Sequence, residues 1–207
     1  MIEAALSQTV TGVILAGGLG RRMGGVDKGL QLLRDEPMVA HVLRRLAPQV
    51  GPMLINANQN GERYAQIGAV FNARIVPDII GGFAGPLAGL HAALSVADTP
   101  MVVTVPCDSP FLPHDLVARL SAAAQVHQAQ IAVAKTGDQA HPVFALVSVA
   151  VRDNLSSFLA AGGRKIDAWY AALPMVEVAF DDEPEAFENI NTRDELQVFE
   201  TRRQRER

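Results

Sequence analysis

The segment Leu15-Ala16-Gly17-Gly18-Leu19-Gly20-Arg21-Arg22-Met23-Gly24-Gly25-Val26-Asp27-Lys28-Gly29 gathers glycines, two arginines and a lysine directly after an apolar, β-rich run. Glycine admits positive φ and close backbone approach, so successive N–H groups can point at one anion while nearby cations neutralise its charge. Phosphate is the chemistry this composition suits. In a chain of net charge −4, gathering Arg22 and Lys28 at one strand end is costly unless an anion compensates them. Two common glycine signatures do not fit. A dinucleotide fingerprint starting at Gly18 needs glycine where Met23 stands, and a Walker A loop needs Gly-Lys-Ser or Gly-Lys-Thr where the chain reads Asp27-Lys28-Gly29.

Asp108 follows Met101-Val102-Val103-Thr104-Val105 and is flanked by Pro106-Cys107 and Ser109-Pro110, so its carboxylate is expected at the ligand edge of a sheet. It is the best candidate metal ligand, because Mg²⁺ is commonly held by one or two carboxylates together with substrate phosphates. The plainer reading is a cap for a helix starting near Pro113. Asp78 introduces a second glycine-rich passage, Ile79 to Gly89, able to wrap a base or ribose. Asn56 and Asn58 offer amides to the same ligand, or serve simply as turn formers. His141-Pro142 directly precedes an expected strand, where His141 could contact a second substrate or merely occupy a turn. The remaining histidines, His41, His91, His114 and His127, lack metal-ligand spacing, and no G-x-S-x-G elbow offers a nucleophile.

These residues need elements to position them. Short β-rich runs over 9–16, 53–57, 74–77, 101–105, 131–134, 143–147 and 176–180 alternate with helical patterns over 37–47, 86–96, 113–124 and 149–161, and Thr192 is placed to cap a last helix. The alternation predicts an α/β fold with a mostly parallel sheet flanked by helices. Such sheets bind ligands beyond the carboxyl ends of their strands. The segments 17–28, 56–60, 78–89 and 106–108 each follow a predicted strand, so they are expected to share one edge.

Composition narrows the class. The chain has 207 residues, 49% hydrophobic and 19% charged, which suits one domain with its own core. The negative balance argues against nucleic acid as a partner, the four arginines of the tail 201–207 notwithstanding. No apolar run is long enough to span a membrane, and the start Met1-Ile2-Glu3-Ala4 lacks the basic end of a secretory signal. One cysteine, Cys107, excludes an internal disulfide and reads as a small buried apolar residue. A cytoplasmic protein is expected.

Taken together, Leu15-Ala16-Gly17-Gly18, Arg22-Met23-Gly24-Gly25, Asp27-Lys28, Gly85-Pro86-Leu87-Ala88-Gly89 and Pro106-Cys107-Asp108 resemble the molybdenum cofactor guanylyltransferase family. The resemblance extends to His141-Pro142, Gly163-Arg164-Lys165 and Asn189-Ile190-Asn191-Thr192, from about Thr9 to Phe199. It implies a single-domain Rossmann-like nucleotidyltransferase fold, with a nucleotide-binding part over about 9–110 and an acceptor-binding part over about 111–200. It also implies transfer of GMP from GTP to the terminal phosphate of molybdenum-molybdopterin, with Mg²⁺ required and pyrophosphate released. The positions matching Leu15, Ala16, Gly17, Lys28, Asn56, Asp78 and Asp108 bind GTP in that family, the one matching Asp108 also holds the metal, and those matching Asn189 and Asn191 belong to the pterin side.

Chemistry adds an expectation that the amides of Gly17 and Gly18 through Gly20, with Arg22 and Lys28, hold the triphosphate, and that His141 faces the acceptor. Molybdopterin-loading enzymes and recipient molybdoenzymes are further expected partners. The related cytidylyltransferases resemble Thr-Ala-Ala-Gly in the first loop and lack the Gly-Pro-Leu-Ala-Gly passage, so guanine is favoured. Two rivals are a sugar-phosphate nucleotidyltransferase and a non-catalytic GTP-binding or cofactor-carrier module.

Overall fold

The computed structural model describes residues 8–17, 27–81 and 85–188. Within them the apolar run after Thr9 forms β1 (Val10–Leu15), and β2 (Leu32–Leu33) with β3 (Glu36–Pro37) forms a small separate hairpin ahead of α1 (Met38–Leu46). β4 (Met53–Asn56) leads to α2 (Gly61–Gly68), β5 (Arg74–Val76) to α3 (Pro86–Val96), and β6 (Met101–Pro106) to α4 (Leu116–Val126). β7 (Ile131–Thr136) turns into β8 (Gln139–Ser148), followed by α5 (Arg152–Ala160), α6 (Ile166–Tyr170) and β9 (Met175–Ala179).

The main sheet has the order β5-β4-β1-β6-β8-β7-β9. Every pairing is parallel except those of β8, which runs antiparallel to β6 and β7 because a two-residue turn joins it to β7. Side chains alternate between two cores, as a period of two requires. Ile14, Ile55 and Val103 join α1, α2 and α4 on one face, while Val13, Leu54 and Val102 join α3, α5 and α6 on the other. Burial explains the stripe read in α1: Met38, Val39, Val42, Leu43 and Leu46 are all fully covered. No helix among the described residues is long and apolar enough to cross a membrane.

Three local expectations need correction. The helix expected from Pro113 starts at Leu116, because Gln49 Nε2 donates to Pro113 O (2.9 Å) and Gln49 Oε1 accepts from Val117 N (3.0 Å), holding Pro113 outside the helix. The helix expected over 149–161 opens with a separate 3₁₀ turn, Val149–Val151, before α5. His141 does not precede a strand; it lies within β8, whose register with β7 shifts between Val133 and Ala134. That irregularity accommodates Pro142, which has no ladder N–H, and the freed carbonyls of Pro142 and Val143 accept from Tyr170 OH (3.0 Å) and Thr104 Oγ1 (2.7 Å). The β2–β3 hairpin and the helices α2 and α6 lie where the sequence pattern predicts no element. The hairpin turn places Arg34 and Asp35 at φ 52° and 64°, without the Asn-Gly or Asp-Gly pair that ordinarily marks such a turn. The helix expected after Thr192 lies outside the described residues.

Candidate active site

Backbone bonds stitch four strand ends into one edge. Ala16 N donates to Asn56 O (2.8 Å), Ala57 N to Val76 O (3.2 Å) and Cys107 N to Leu15 O (3.2 Å), so the segments after β1, β4, β5 and β6 start side by side. The winding reverses between β1 and β6: from β1 the chain proceeds outward to β4 and β5, then returns to the other flank of β1 as β6. Open α/β sheets bind ligands at such a reversal.

Two opposite charges span it. Lys28, which begins a short 3₁₀ turn after the glycine-rich segment, places Nζ 3.0 Å from Oδ2 of Asp108, the second residue beyond β6. The aspartate side chain is 10% exposed and the lysine side chain 28%, so this pair is screened less than a surface one. Beneath it lie Cys107, whose thiol is pushed up by burial and then by Asp108 and Asp27, and the fully buried Ser109. The cysteine is therefore an uncharged packing residue. Asp108 pairs with Lys28 rather than capping a helix, and α4 begins eight residues further on.

A second polar group occupies the β4–β5 side. Asn56, 3% exposed, donates from Nδ2 to Asp78 Oδ1 (2.8 Å) and to Val76 O (3.1 Å). Asn58 Nδ2 donates to Asp78 Oδ2 (2.7 Å), and Asp78 N donates back to Asn58 Oδ1 (2.8 Å). Asn56 and Asn58 thus fix the Asp78 carboxylate rather than merely ending a turn. Two glycines abut this group: a Cβ on Gly17 would lie 2.9 Å from Asn56 Oδ1, and one on Gly89 would lie 2.3 Å from it. Gly85, at φ 63°, turns the chain into α3, and Pro86 takes the first helical position.

The structure therefore brings Leu15, Ala16, Gly17, Lys28, Asn56, Asp78 and Asp108 to one edge. His141 reaches the same end of the sheet one strand beyond β6, since β8 runs antiparallel to it. Its Nε2 lies 2.8 Å from Thr136 Oγ1, its ring stacks on Phe187 at 4.7 Å, and burial pushes its pKa down, so it sits in an aromatic cluster rather than in an open turn. Gly18, Arg22, Asn189 and Asn191 lie outside the described residues. One arrangement has no signal in the sequence: Asp27 is held by Tyr64 OH (2.5 Å) and Asn60 Nδ2 (2.9 Å). Tyr64 belongs to α2, a short helix bounded by Gly61 and Gly68 with too few apolar positions to show a period.

Among the described residues no group of three or more His, Cys, Asp or Glu converges. Asp78 is engaged by the two asparagines and Asp27 by Tyr64 and Asn60, which leaves Asp108 as the carboxylate at the strand reversal. One hard oxygen ligand suits a divalent cation that takes its remaining ligands from substrate phosphates and water.

Comparison with known proteins places this edge in a family. Residues 12–176 match the MobA-like NTP transferase domain. A protein of Burkholderia vietnamiensis named molybdenum cofactor guanylyltransferase is 52% identical over 206 residues, covering 97% of this chain and 100% of its own length. A protein of the same name from Cupriavidus necator is 52% identical over 198 residues, covering 93% and 97%. Among solved structures, molybdopterin-guanine dinucleotide biosynthesis protein A from Archaeoglobus fulgidus superposes with a TM-score of 0.75 at 24% identity, over 94% of this chain and 99% of that one, and shares the fold. A sheet reversal carrying a lysine–aspartate pair, and near-complete overlap with these relatives, lead to one conclusion: the chain belongs to the molybdenum cofactor guanylyltransferase family and is a nucleotidyltransferase.

Proposed function

We propose that the chain transfers GMP from GTP to the terminal phosphate of molybdenum-molybdopterin. An acceptor phosphate oxygen forms a new bond to the α-phosphorus of GTP, the bond from that phosphorus to the β-phosphate bridging oxygen breaks, and pyrophosphate leaves with the electron pair. The observation that carries the reading is the Lys28–Asp108 contact across the sheet reversal.

Both reactants are anions, so the protein's task is to cancel repulsion and align the attack. Lys28 exchanges Asp108 for triphosphate oxygens, the backbone at Ala16 and Gly17 supplies further donors, and Gly18 and Arg22 are assigned to the triphosphate as well. Asp108 would hold a divalent cation, Mg²⁺ in this proposal, which would supply positive charge to the phosphates of the transferred group. The Asn56–Asp78–Asn58 group presents oriented polar atoms to the ribose and guanine, and Leu15 borders the base. His141, Asn189 and Asn191 are assigned to the acceptor.

On this reading the chain is one domain, with a nucleotide half over about 9–110 and an acceptor half over about 111–200. The continuous seven-stranded sheet, which draws strands from both halves, supports the single domain. Work in the cytoplasm, beside enzymes that load molybdopterin and enzymes that receive the product, accords with a buried free cysteine.

The deciding experiment incubates the purified protein with Mg²⁺, loaded pterin and each of the four nucleoside triphosphates in turn. The guanine dinucleotide and pyrophosphate are expected from GTP alone. Binding of GTP without pyrophosphate release would mark a carrier or sensor, and product formed only in a parallel reaction with a sugar phosphate in place of the pterin would mark a different acceptor.

A further inference from the structure

Asp27, the residue before Lys28, has both carboxylate oxygens engaged by α2 and its leading residue: Oδ1 accepts from Tyr64 OH at 2.5 Å and Oδ2 from Asn60 Nδ2 at 2.9 Å. Asn60 adopts φ 54° and receives Tyr64 N on its own carbonyl at 3.1 Å, so donor and helix start are locked together. The Tyr64 side chain is fully buried. A Cβ on Gly29 would lie 2.5 Å from the Tyr64 hydroxyl and 3.1 Å from Cys107 Cβ. The turn carrying Lys28 is thus seated between Tyr64 and the residue preceding Asp108. Leu30 N to Asp27 O (3.2 Å) and Gln31 N to Lys28 O (3.1 Å) close that turn.

We infer that Tyr64, with Asn60, is a positioning residue for the transfer: by clamping Asp27 it fixes the Asp27-Lys28-Gly29 turn and so aims the Lys28 ammonium at the triphosphate. Tyr64 touches no substrate and acts through Lys28. Its phenol is suited to this, since burial, together with Cys107 and Asp27 beside it, pushes its pKa up and keeps the proton available for donation. A carboxylate pinned through both oxygens also restricts the adjacent lysine before nucleotide arrives, lowering the ordering cost of binding.

The inference rests on the proposed role of Lys28, and the test separates the two. Affinity for a fluorescent GTP analogue with Mg²⁺ is measured for the full chain and for Tyr64→Phe, Asn60→Ala, Lys28→Ala and the double variants Tyr64→Phe/Lys28→Ala and Asn60→Ala/Lys28→Ala. Tyr64→Phe keeps the buried ring and removes one bond to a charged group, so affinity is expected to fall roughly 10- to 100-fold in the presence of Lys28. In the Lys28→Ala background it is expected to change less than about twofold, because a residue acting through Lys28 has nothing left to position. Unchanged affinity in Tyr64→Phe, or the same loss in both backgrounds, overturns the inference and leaves Tyr64 a packing residue. Unchanged affinity in Lys28→Ala itself overturns the reading of Lys28 as a phosphate ligand. Should Tyr64→Phe not fold, the surface substitution Asn60→Ala removes the second bond to Asp27 and is judged by the same comparison.

Discussion

The Lys28–Asp108 pair separates two roles that a lone lysine or aspartate would leave ambiguous. In the free protein each charge is the other's partner, 3.0 Å away, so neither is left uncompensated before substrate arrives. Asp108→Asn keeps the shape and removes the charge; turnover is expected to fall roughly 10²- to 10³-fold, with the circular dichroism spectrum unchanged. Steady-state pyrophosphate release checks this, and a rate within a few-fold of the parent would remove Asp108 from the metal role. Gly89 makes a different kind of claim. Alanine is ordinarily the better helix residue by about 1 kcal/mol, yet a Cβ there meets Asn56 Oδ1 at 2.3 Å and Leu15 Cδ2 at 2.8 Å. Gly89→Ala should therefore destabilise the fold by about 1–3 kcal/mol and weaken nucleotide binding, because Asn56 is fixed by Asp78 and Val76 and cannot retreat freely. Urea denaturation and nucleotide titration read the two effects, and a stabilised variant would show that Asn56 does yield.

Elements set these contacts by how they meet. Gln49, just past α1, donates to Arg45 O (2.8 Å) and Pro113 O (2.9 Å) and accepts from Val117 N (3.0 Å), tying the end of one helix to the first turn of α4. Gln49→Ala should lower stability by about 1–2 kcal/mol through a shift in urea midpoint, while nucleotide affinity, which depends on the opposite ends of the strands, stays within twofold. A midpoint unchanged from the parent would show that water replaces the side chain. Strand positions were legible in the sequence because β1, β4, β5, β6, β7 and β9 are short apolar runs with turn residues at their ends, and the structure shifts their bounds by at most two residues. The apolar run after Pro142 predicts a strand over 143–147; the structure extends it back to Gln139, and the carbonyls of Pro142 and Val143 find side-chain donors within β8. α2 and α6, of eight and five residues, are too short for a helical period to declare itself.

Across the whole molecule, stability couples to pH through the layer that covers the second core. His91 of α3 is 8% exposed, with Nε2 2.9 Å from Ser156 Oγ of α5. That hydroxyl donates to Arg152 O (3.0 Å), so Nε2 carries the proton and Nδ1 is buried with no hydrogen-bond partner. Burial first, and then the charge of Arg152, hold the His91 pKa below the ordinary 6.5. Below 6.5 the unfolded chain binds a proton that the folded chain resists, so His91 removes stability as the pH falls from 6.5, and the loss is complete once its folded value is passed. His141, also lowered by burial, acts in the same direction. Denaturation midpoints at pH 7.5 and pH 5.5 should differ more in the parent than in His91→Gln; equal differences would exclude His91 as a contributor.

The amino-acid sequence by itself determined the α/β alternation, the apolar strand runs and the polar segments at the strands' carboxyl ends, because periodicity and turn chemistry are local properties. It carried the family's motifs as well, so the lysine, the aspartates and the asparagine of the edge could be named from residue types alone. Tertiary structure decided who meets whom. Lys28 and Asp108 are 80 positions apart, Asn56 and Asp78 are 22, and Tyr64 and Asp27 are 37. Strand order, which no local period encodes, sets β1 between β4 and β6 and thereby turns separate loops into one site.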